Sequence, residues 1–420
     1  MSGVRKVNQI PRVEGHGRIE LERRDGRIVG ARLVLYEPVR LFEGLLRGRL
    51  GEELPEIVCR ICSICSTVHK VASLRAVEGC LGIAVSRQTD LLRQLALQGG
   101  QLASHALHLS CLALPDYRGC SSLVDLQRTA PKELQRGLAL KALGNRIQEE
   151  VGGRAIHPFN LLLGGIGSPP AADTLRRLAD ELQNLLPAAR ATIALATELP
   201  EALPPVPPLP GIGVSGGPSL ADYHIVSTDG SRIAAGEVMD WLDERLPPEG
   251  NARVSDFTGA GPYLTGPLAR MNLDPHLEPE AAMLRQHHRE RLLGQPVTAS
   301  HLARSIELLQ AMARATAVID ELLQEEMRHE PAALPTRRGG SATVLIEAPR
   351  GLLLHHYGFD DAGRCMAARV ITPTAINQGA MAASLTALVG IIGGADETEV
   401  RGLSERLVRC FDPCISCAVH

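Results

Sequence analysis

Aromatic side chains are scarce in this sequence: one Trp, five Tyr and five Phe, 3% of 420 residues. A core must then come mainly from Leu, Ala and Val knitted between long elements. Charge of one sign is lacking as well. Lys and Arg number 44 against 47 Asp and Glu, for a net charge of −3, which excludes a general affinity for nucleic acid or anionic membranes. No apolar run reaches 18 residues, so no membrane span is read. Met1-Ser2-Gly3-Val4-Arg5-Lys6 leads into no apolar core and does not resemble a signal peptide. Cysteine is sparse: ten residues are too few for a disulfide scaffold. Repeats and low-complexity tails are missing too. What remains is 45% hydrophobic and 22% charged residues, the balance of an ordinary globular protein with a sizeable core.

The patterning predicts mostly helix. Residues Gly17–Tyr36 alternate with a turn at Asp25-Gly26 and predict a hairpin. After Pro38 the spacing becomes three and four. Helices are expected over Ile57–Leu81, Asp90–Leu114, Pro131 to about Glu150, Ala171–Leu199, Pro279–Leu293, Ser300–His329, Ala375–Ile392 and Glu397–Val408. Short strands are expected at Thr343–Glu347, Gly351–His355 and Ala367–Ile371, and a mixed segment at 222–265 around Trp241. Pro200–Pro218 is rich in proline and predicts a crossing, because repeated prolines cannot donate helical hydrogen bonds. The expectation is a single domain over 1–420, mainly α with small β additions, built on a bundle of long helices.

Four of the ten cysteines form two pairs at opposite ends of the chain. Cys62-Ser63-Ile64-Cys65 is followed by His69, and Cys414-Ile415-Ser416-Cys417 by the last residue, His420. A CxxC turn places two sulfurs close enough to share a metal. Thiolates favour nickel, copper(I), zinc or iron–sulfur over magnesium. A structural zinc site is the plain alternative, but zinc modules usually keep their pairs within a few tens of residues. A thioredoxin-like disulfide needs a βαβ setting that is missing. Sewing two chain ends together, with a histidine near each, suits a catalytic metal better.

The two segments resemble the metal motifs of the large, catalytic subunit of nickel–iron (NiFe) hydrogenases. The resemblance runs from end to end, through Pro11-Arg12-Val13-Glu14-Gly15-His16, Arg40-Leu41-Phe42-Glu43 with Gly48-Arg49, Ser104-His105-Ala106-Leu107-His108 followed by Asp116, Gly153-Arg154 with His157-Pro158, Gly266-Pro267-Leu268-Ala269-Arg270, Glu347-Ala348-Pro349-Arg350-Gly351, and Thr372-Pro373-Thr374 with Asn377. It is nearest the cytosolic, bidirectional branch, which implies a cytoplasmic location.

The resemblance implies a fold that brings both CxxC segments to one buried site. It makes Cys62 and Cys414 terminal nickel ligands, and Cys65 and Cys417 bridges between nickel and an iron carrying carbonyl and cyanide. It implies reversible heterolytic splitting of dihydrogen, with the proton passing from Cys414 to Glu14. Arg350 would lie above the metals, paired with or oriented by Asp116 and Asp412. Pro349, Pro373 and Thr374 would line the cyanide pocket, with the Thr374 hydroxyl donating. His69 would hydrogen-bond near a cysteine sulfur. Glu43, the carbonyl of Val370 and His420 would hold magnesium or iron and tie down the C-terminus. Two departures stand out. Ser63 stands where glycine is commonest and would put a hydroxyl beside the site, and Ala375-Ile376 replaces a more usual small–aromatic pair. Ile64 would face a gas channel.

Cysteines 59, 80, 111, 120, 365 and 410 fit no ferredoxin spacing. Cys59 and Cys410 lie close before a ligand and are expected beside the site; the others are expected as small core residues. No iron–sulfur cluster is therefore expected in this chain. No glycine-rich dinucleotide fingerprint follows a strand. The resemblance accordingly implies an iron–sulfur small subunit as partner, with flavin, nicotinamide, deazaflavin or heterodisulfide chemistry left to further subunits. Three other readings are weighed: a hydrogen-sensing subunit with the same site and low turnover, a zinc-binding structural protein, and the quinone-site homologue of respiratory complex I, which lacks the four cysteines.

Overall fold

The computed structural model describes residues 3–25, 27–198, 203–217, 219–257, 261–273, 275–293, 297–392 and 394–420. The N-terminal sheet has three antiparallel strands: β1 (Gly3–Gln9), β2 (Gly17–Arg24) and β3 (Arg27–Leu35). The expected hairpin is β2–β3, joined by a strand that the sequence reading did not include. Gly26 of the predicted turn lies outside the described residues. Ile19 and Leu21 on β2 face the core, and between them Glu20 is buried and held by Arg18 and Arg32.

Helices α1 (Ser66–Leu81), α2 (Arg87–Leu107), α3 (Pro131–Gly152) and α4 (Ala172–Glu198) follow. Ser86 caps α2 by accepting from the Thr89 amide, and Pro131 opens α3. α4 presents Leu175, Leu178, Leu182, Ala189 and Ile193 to the core, a spacing of three, four and seven that leaves its other face to solvent. Leu199 and residues 200–202 and 218 of the expected crossing lie outside the described residues; 203–210 run without regular structure into the strand Gly211–Ser215. That strand pairs with others from the 224–265 segment in a four-stranded sheet.

α5 (Ser300–Leu323) is buried on nearly every face along its first half and packs on both α2 and α4. The meander β4 (Gly340–Ala348), β5 (Gly351–Phe359) and β6 (Cys365–Ile371) covers α1. α6 (Pro373–Ile392) and α7 (Glu397–Cys410) close the chain. By length and composition α6 could cross a membrane. Its first turn instead carries buried Pro373, Thr374 and Asn377, and it packs on β3, which makes it a core helix.

Three expected helices are broken. Ile57–Leu81 divides into Leu54–Val58 and α1, because residues 59–65 form the loop that turns the first cysteine pair inward. Asp90–Leu114 becomes α2 followed by a π-helical turn at His108–Ala113 and a short helix at Leu114–Tyr117. Pro115 has no N–H for the carbonyl four residues back, so the regular ladder cannot run through. Pro279–Leu293 breaks at His288 into Pro279–His287 and Arg289–Leu292, and the helix expected to reach His329 ends at Leu323.

Candidate metal centre

The two CxxC segments meet in the interior. Cys62 and Cys65 lie on the loop leading into α1, with Cys65 at its N-cap. Cys414 caps the start of the short helix Ile415–Ala418 after α7, and Cys417 lies within it. All four sulfurs fall within 4.8 Å of one another, and all four residues are buried. Cys414 Sγ is 3.2 Å from Cys62, 3.1 Å from Cys417 and 3.9 Å from Cys65. None is in a disulfide.

Backbone contacts hold the segments together. The Glu14 carbonyl accepts from the Ile415 amide at 3.1 Å, and the Glu14 carboxylate accepts from the Ser416 amide at 3.0 Å. Gly15 makes that approach possible: its φ is +81°, and a Cβ there would sit 2.8 Å from Ile415 Cβ. Thr374 Oγ1 accepts from the Cys414 amide at 2.9 Å, which leaves its hydroxyl proton free to donate. Arg40, which sequence reasoning placed only in a motif, joins the loops directly. Its guanidinium donates to the Ile61 carbonyl at 2.6 Å and to the Ser416 carbonyl. Its amide donates to the Val419 carbonyl.

Arg350 sits at the β4–β5 turn, 2% exposed. It donates through Nε to the Asp412 carbonyl at 2.9 Å and through Nη2 to the Asp412 carboxylate at 3.2 Å. Its Nη1 lies 3.4 Å from Cys65 Sγ and 3.5 Å from Ser104 Oγ. Asp116 does not share this contact, which corrects the expected pairing. Arg409 takes its carboxylate at 2.6 and 2.9 Å, and Arg12 adds a second pair. The π-helical turn and Pro115 carry Asp116 to the face where α7 presents Arg409. Asp412 is also met by His108 at 3.0 Å and approached by the Arg304 guanidinium at 3.9 Å. Against the cost of burial, Arg350 and His108 hold the Asp412 carboxyl well below the usual carboxylate range. The sulfurs titrate as a set. Hydrogen bonds from Cys414 and Cys417, with Arg350 alongside, hold Cys65 well below the ordinary thiol range. Burial and its sulfur neighbours push Cys414 up.

His69 Nε2 lies 3.6 Å from Cys417 Sγ. His420 is buried; its Nδ1 is 2.5 Å from the Cys417 carbonyl, and its Nε2 has no hydrogen-bond partner and sits 3.9 Å from a Glu43 oxygen. That same oxygen accepts from the Val370 amide at 2.9 Å, and Arg253 donates to the other. Pro373 and Thr374 begin α6, both buried. Pro349 and Ile64 line a cavity of about 230 Å³ with Thr67, Val68, Gln101 and Glu307. Ser63 is exposed, so its hydroxyl does not reach the sulfurs. Cys59 bonds the Glu56 carbonyl and Cys410 faces His301 at 3.5 Å, so neither thiol reaches the four. Arg304 and His301 lie on α5 and were missed, although His301, Arg304 and Glu307 at helical spacing in a largely apolar helix are a visible signal.

The sequence matches the family model described as nickel-dependent hydrogenase over residues 40–149 and 269–420. It is 34% identical over 419 residues to the alpha subunit of sulfhydrogenase 2 from Pyrococcus furiosus, covering 99% of this chain and 98% of that protein. It is 32% identical over 418 residues to the alpha subunit of sulfhydrogenase 1 from the same organism, covering 99% and 97%. Among solved structures it resembles that of an NAD+-reducing NiFe hydrogenase in the H2-reduced state, with a TM-score of 0.88 and 26% identity over 100% of this chain and 99% of that one. The fold also resembles that of the Ni-Fe-Se hydrogenase from D. vulgaris Hildenborough, with a TM-score of 0.80 and 21% identity over 100% of both chains.

Proposed function

This chain belongs to the nickel-dependent hydrogenase family and is an oxidoreductase acting on dihydrogen, and from that premise we propose that its four buried cysteines hold a nickel–iron pair at which dihydrogen is split reversibly. One observation carries the reading: sulfurs from opposite ends of the chain converge, buried, within 4.8 Å of one another, with the fixed positive charge of Arg350 3.4 Å from one of them. The donor set fits: four soft thiols suit nickel and low-spin iron. In this assignment Cys62 and Cys414 would hold nickel, and Cys65 and Cys417 would hold nickel together with an iron that carries carbonyl and cyanide. When bound, the pair supplies an open position that polarises dihydrogen and takes up its electrons.

The remaining work belongs to side chains. Arg350 stays protonated and, pinned by Asp412, presents donors toward the pocket. Thr374, anchored by the Cys414 amide, has its hydroxyl proton free and would donate it to a cyanide of the group, with Pro349 and Pro373 shaping the wall. Cys414 takes the first proton. Glu14, half-buried and bonded to the Ser416 amide, passes it toward solvent. The cavity beside Ile64 admits dihydrogen. Glu43, the Val370 carbonyl and His420 hold magnesium; the unpartnered His420 Nε2 beside a carboxylate oxygen supports that site. Electrons leave to an iron–sulfur small subunit. The NAD+-reducing neighbour supports further electron-transfer subunits beyond it.

Elemental analysis and an infrared spectrum of the purified complex test the metal assignment. One nickel per copy of this chain, iron in excess of nickel because of the small subunit's clusters, and bands in the carbonyl and cyanide stretching region are expected. Zinc without nickel, and no such bands, would overturn it.

A further inference from the structure

Behind Cys417 and His69 the fold buries a hydrogen-bonded chain whose further members none of the roles above uses. His69 Nδ1 lies 3.1 Å from His355 Nε2. His355 Nδ1 lies 2.7 Å from Tyr357 Oη, and that hydroxyl lies 3.1 Å from Ser73 Oγ. With the 3.6 Å contact from His69 Nε2 to Cys417 Sγ, the chain reads Cys417–His69–His355–Tyr357–Ser73. All four side chains beyond the sulfur are at most 1% exposed. Two elements make it. His69 and Ser73 stand four apart on one face of α1, and His355 and Tyr357 two apart on one face of β5.

At the 3.1 Å contact between His69 Nδ1 and His355 Nε2 one nitrogen must donate and the other accept, so that link carries a single proton. Each ring in such a chain donates at one nitrogen and accepts at the other, so the choice made at one end fixes every link. A thiolate holding a metal has no proton to give. His69 must then donate from Nε2 and accept at Nδ1 from His355 Nε2–H. His355 Nδ1 accepts in turn from the Tyr357 hydroxyl, whose oxygen takes the Ser73 proton.

We propose that His355, Tyr357 and Ser73 are positioning residues that orient and polarise His69 so that its Nε2–H donates to the Cys417 thiolate, and that they thereby tune the electron density this sulfur gives the metal pair. The inference rests on the nickel–iron reading above. A donated hydrogen bond draws charge from a ligand sulfur and weakens its donation to the metal. Removing the Tyr357 hydroxyl leaves His355 Nδ1 without a donor. Each ring N–H further along the chain is then polarised less, and the hydrogen bond from His69 Nε2–H to the sulfur weakens.

Infrared spectroscopy of the holoenzyme reads this directly, because an iron that receives more electron density lowers the stretching frequency of its carbonyl. Tyr357→Phe should keep its nickel and iron and show the carbonyl band at lower wavenumber than wild type. His69→Phe should move the band the same way, and the double variant no further than His69→Phe alone. Ser73→Ala, which leaves ring packing intact, should shift the band in the same direction by less. A band unmoved in Tyr357→Phe and Ser73→Ala at full metal content overturns the proposal, as do additive shifts in the double variant. A wild-type spectrum without carbonyl bands overturns the metal reading, and this inference with it.

Discussion

A guanidinium as enclosed as that of Arg350 must find acceptors, because it cannot shed its charge. The sequence placed Arg350 near the cysteines through its motif, and the structure agrees on position. It could not say which carboxylate would answer. Asp116 and Asp412 looked equivalent as motif aspartates, yet one meets Arg409 and the other Arg350. The difference lies in tertiary geometry, which no local pattern encodes. Arg40 went unnoticed for the same reason, since its targets are two carbonyls from opposite ends of the chain. Replacing it leaves the Ile61 and Ser416 carbonyls without that donor, at a cost of about 1–3 kcal/mol each where burial is complete. Arg40→Met should therefore lower both the thermal midpoint and the nickel-to-protein ratio. Full nickel content at an unchanged midpoint would show that the clamp is dispensable. Cys414→Ala should abolish dihydrogen turnover and reduce metal retention; normal turnover would refute its place among the ligands.

Helices were legible wherever one face stayed apolar over many turns, as in α3, α4 and α7. Their interruptions were not. The loop at 59–65 carries apolar residues at helical spacing, yet it leaves the helix after Val58 and brings its sulfurs to Cys414 before α1 begins. Links between elements were equally hidden. Glu78 on α1 receives two hydrogen bonds from Arg93 on α2, at 2.8 and 2.7 Å, and one from the Gly164 amide. Arg93 is fully buried. Removing the carboxylate strands that cation, and breaking a buried pair in this way costs about 3–5 kcal/mol. Glu78→Ala should lower the denaturation midpoint accordingly, with loosening at the α1–α2 contact visible in amide exchange. A loss below about 1 kcal/mol, the worth of an exposed pair, would show that solvent reaches Arg93.

At the scale of the molecule, the wide separation of the cysteine pairs has its explanation in the way α1, α6 and the closing segment surround one pocket. The same interior is knotted by a polar network that crosses α2, the helix Pro267–Asn272, α5 and β4. Arg270 donates to Glu307 at 2.6 Å and to Glu347 at 2.6 Å, and His105 meets Glu307 at 3.0 Å. Two of its members make stability depend on pH in the same direction. Burial lowers His105 to about 4, so the folded state holds it neutral and its contribution is complete above the unfolded value of about 6.5. Against the penalty of burial, Arg270 and His105 lower Glu307 to about 2, so its contribution is complete above about 4.5. Acidification should erode stability in two stages: from about pH 6.5 to 4 as the unfolded state protonates His105, then from about 4.5 to 2 as Glu307 is neutralised. Thermal midpoints measured across this range in wild type and Glu307→Gln check the assignment. The variant should start lower, because Arg270 loses a charged partner, and should lose less than wild type below pH 4.5. Parallel curves for the two proteins over that lower stage would mean that other carboxylates, and not Glu307, set the acid limit.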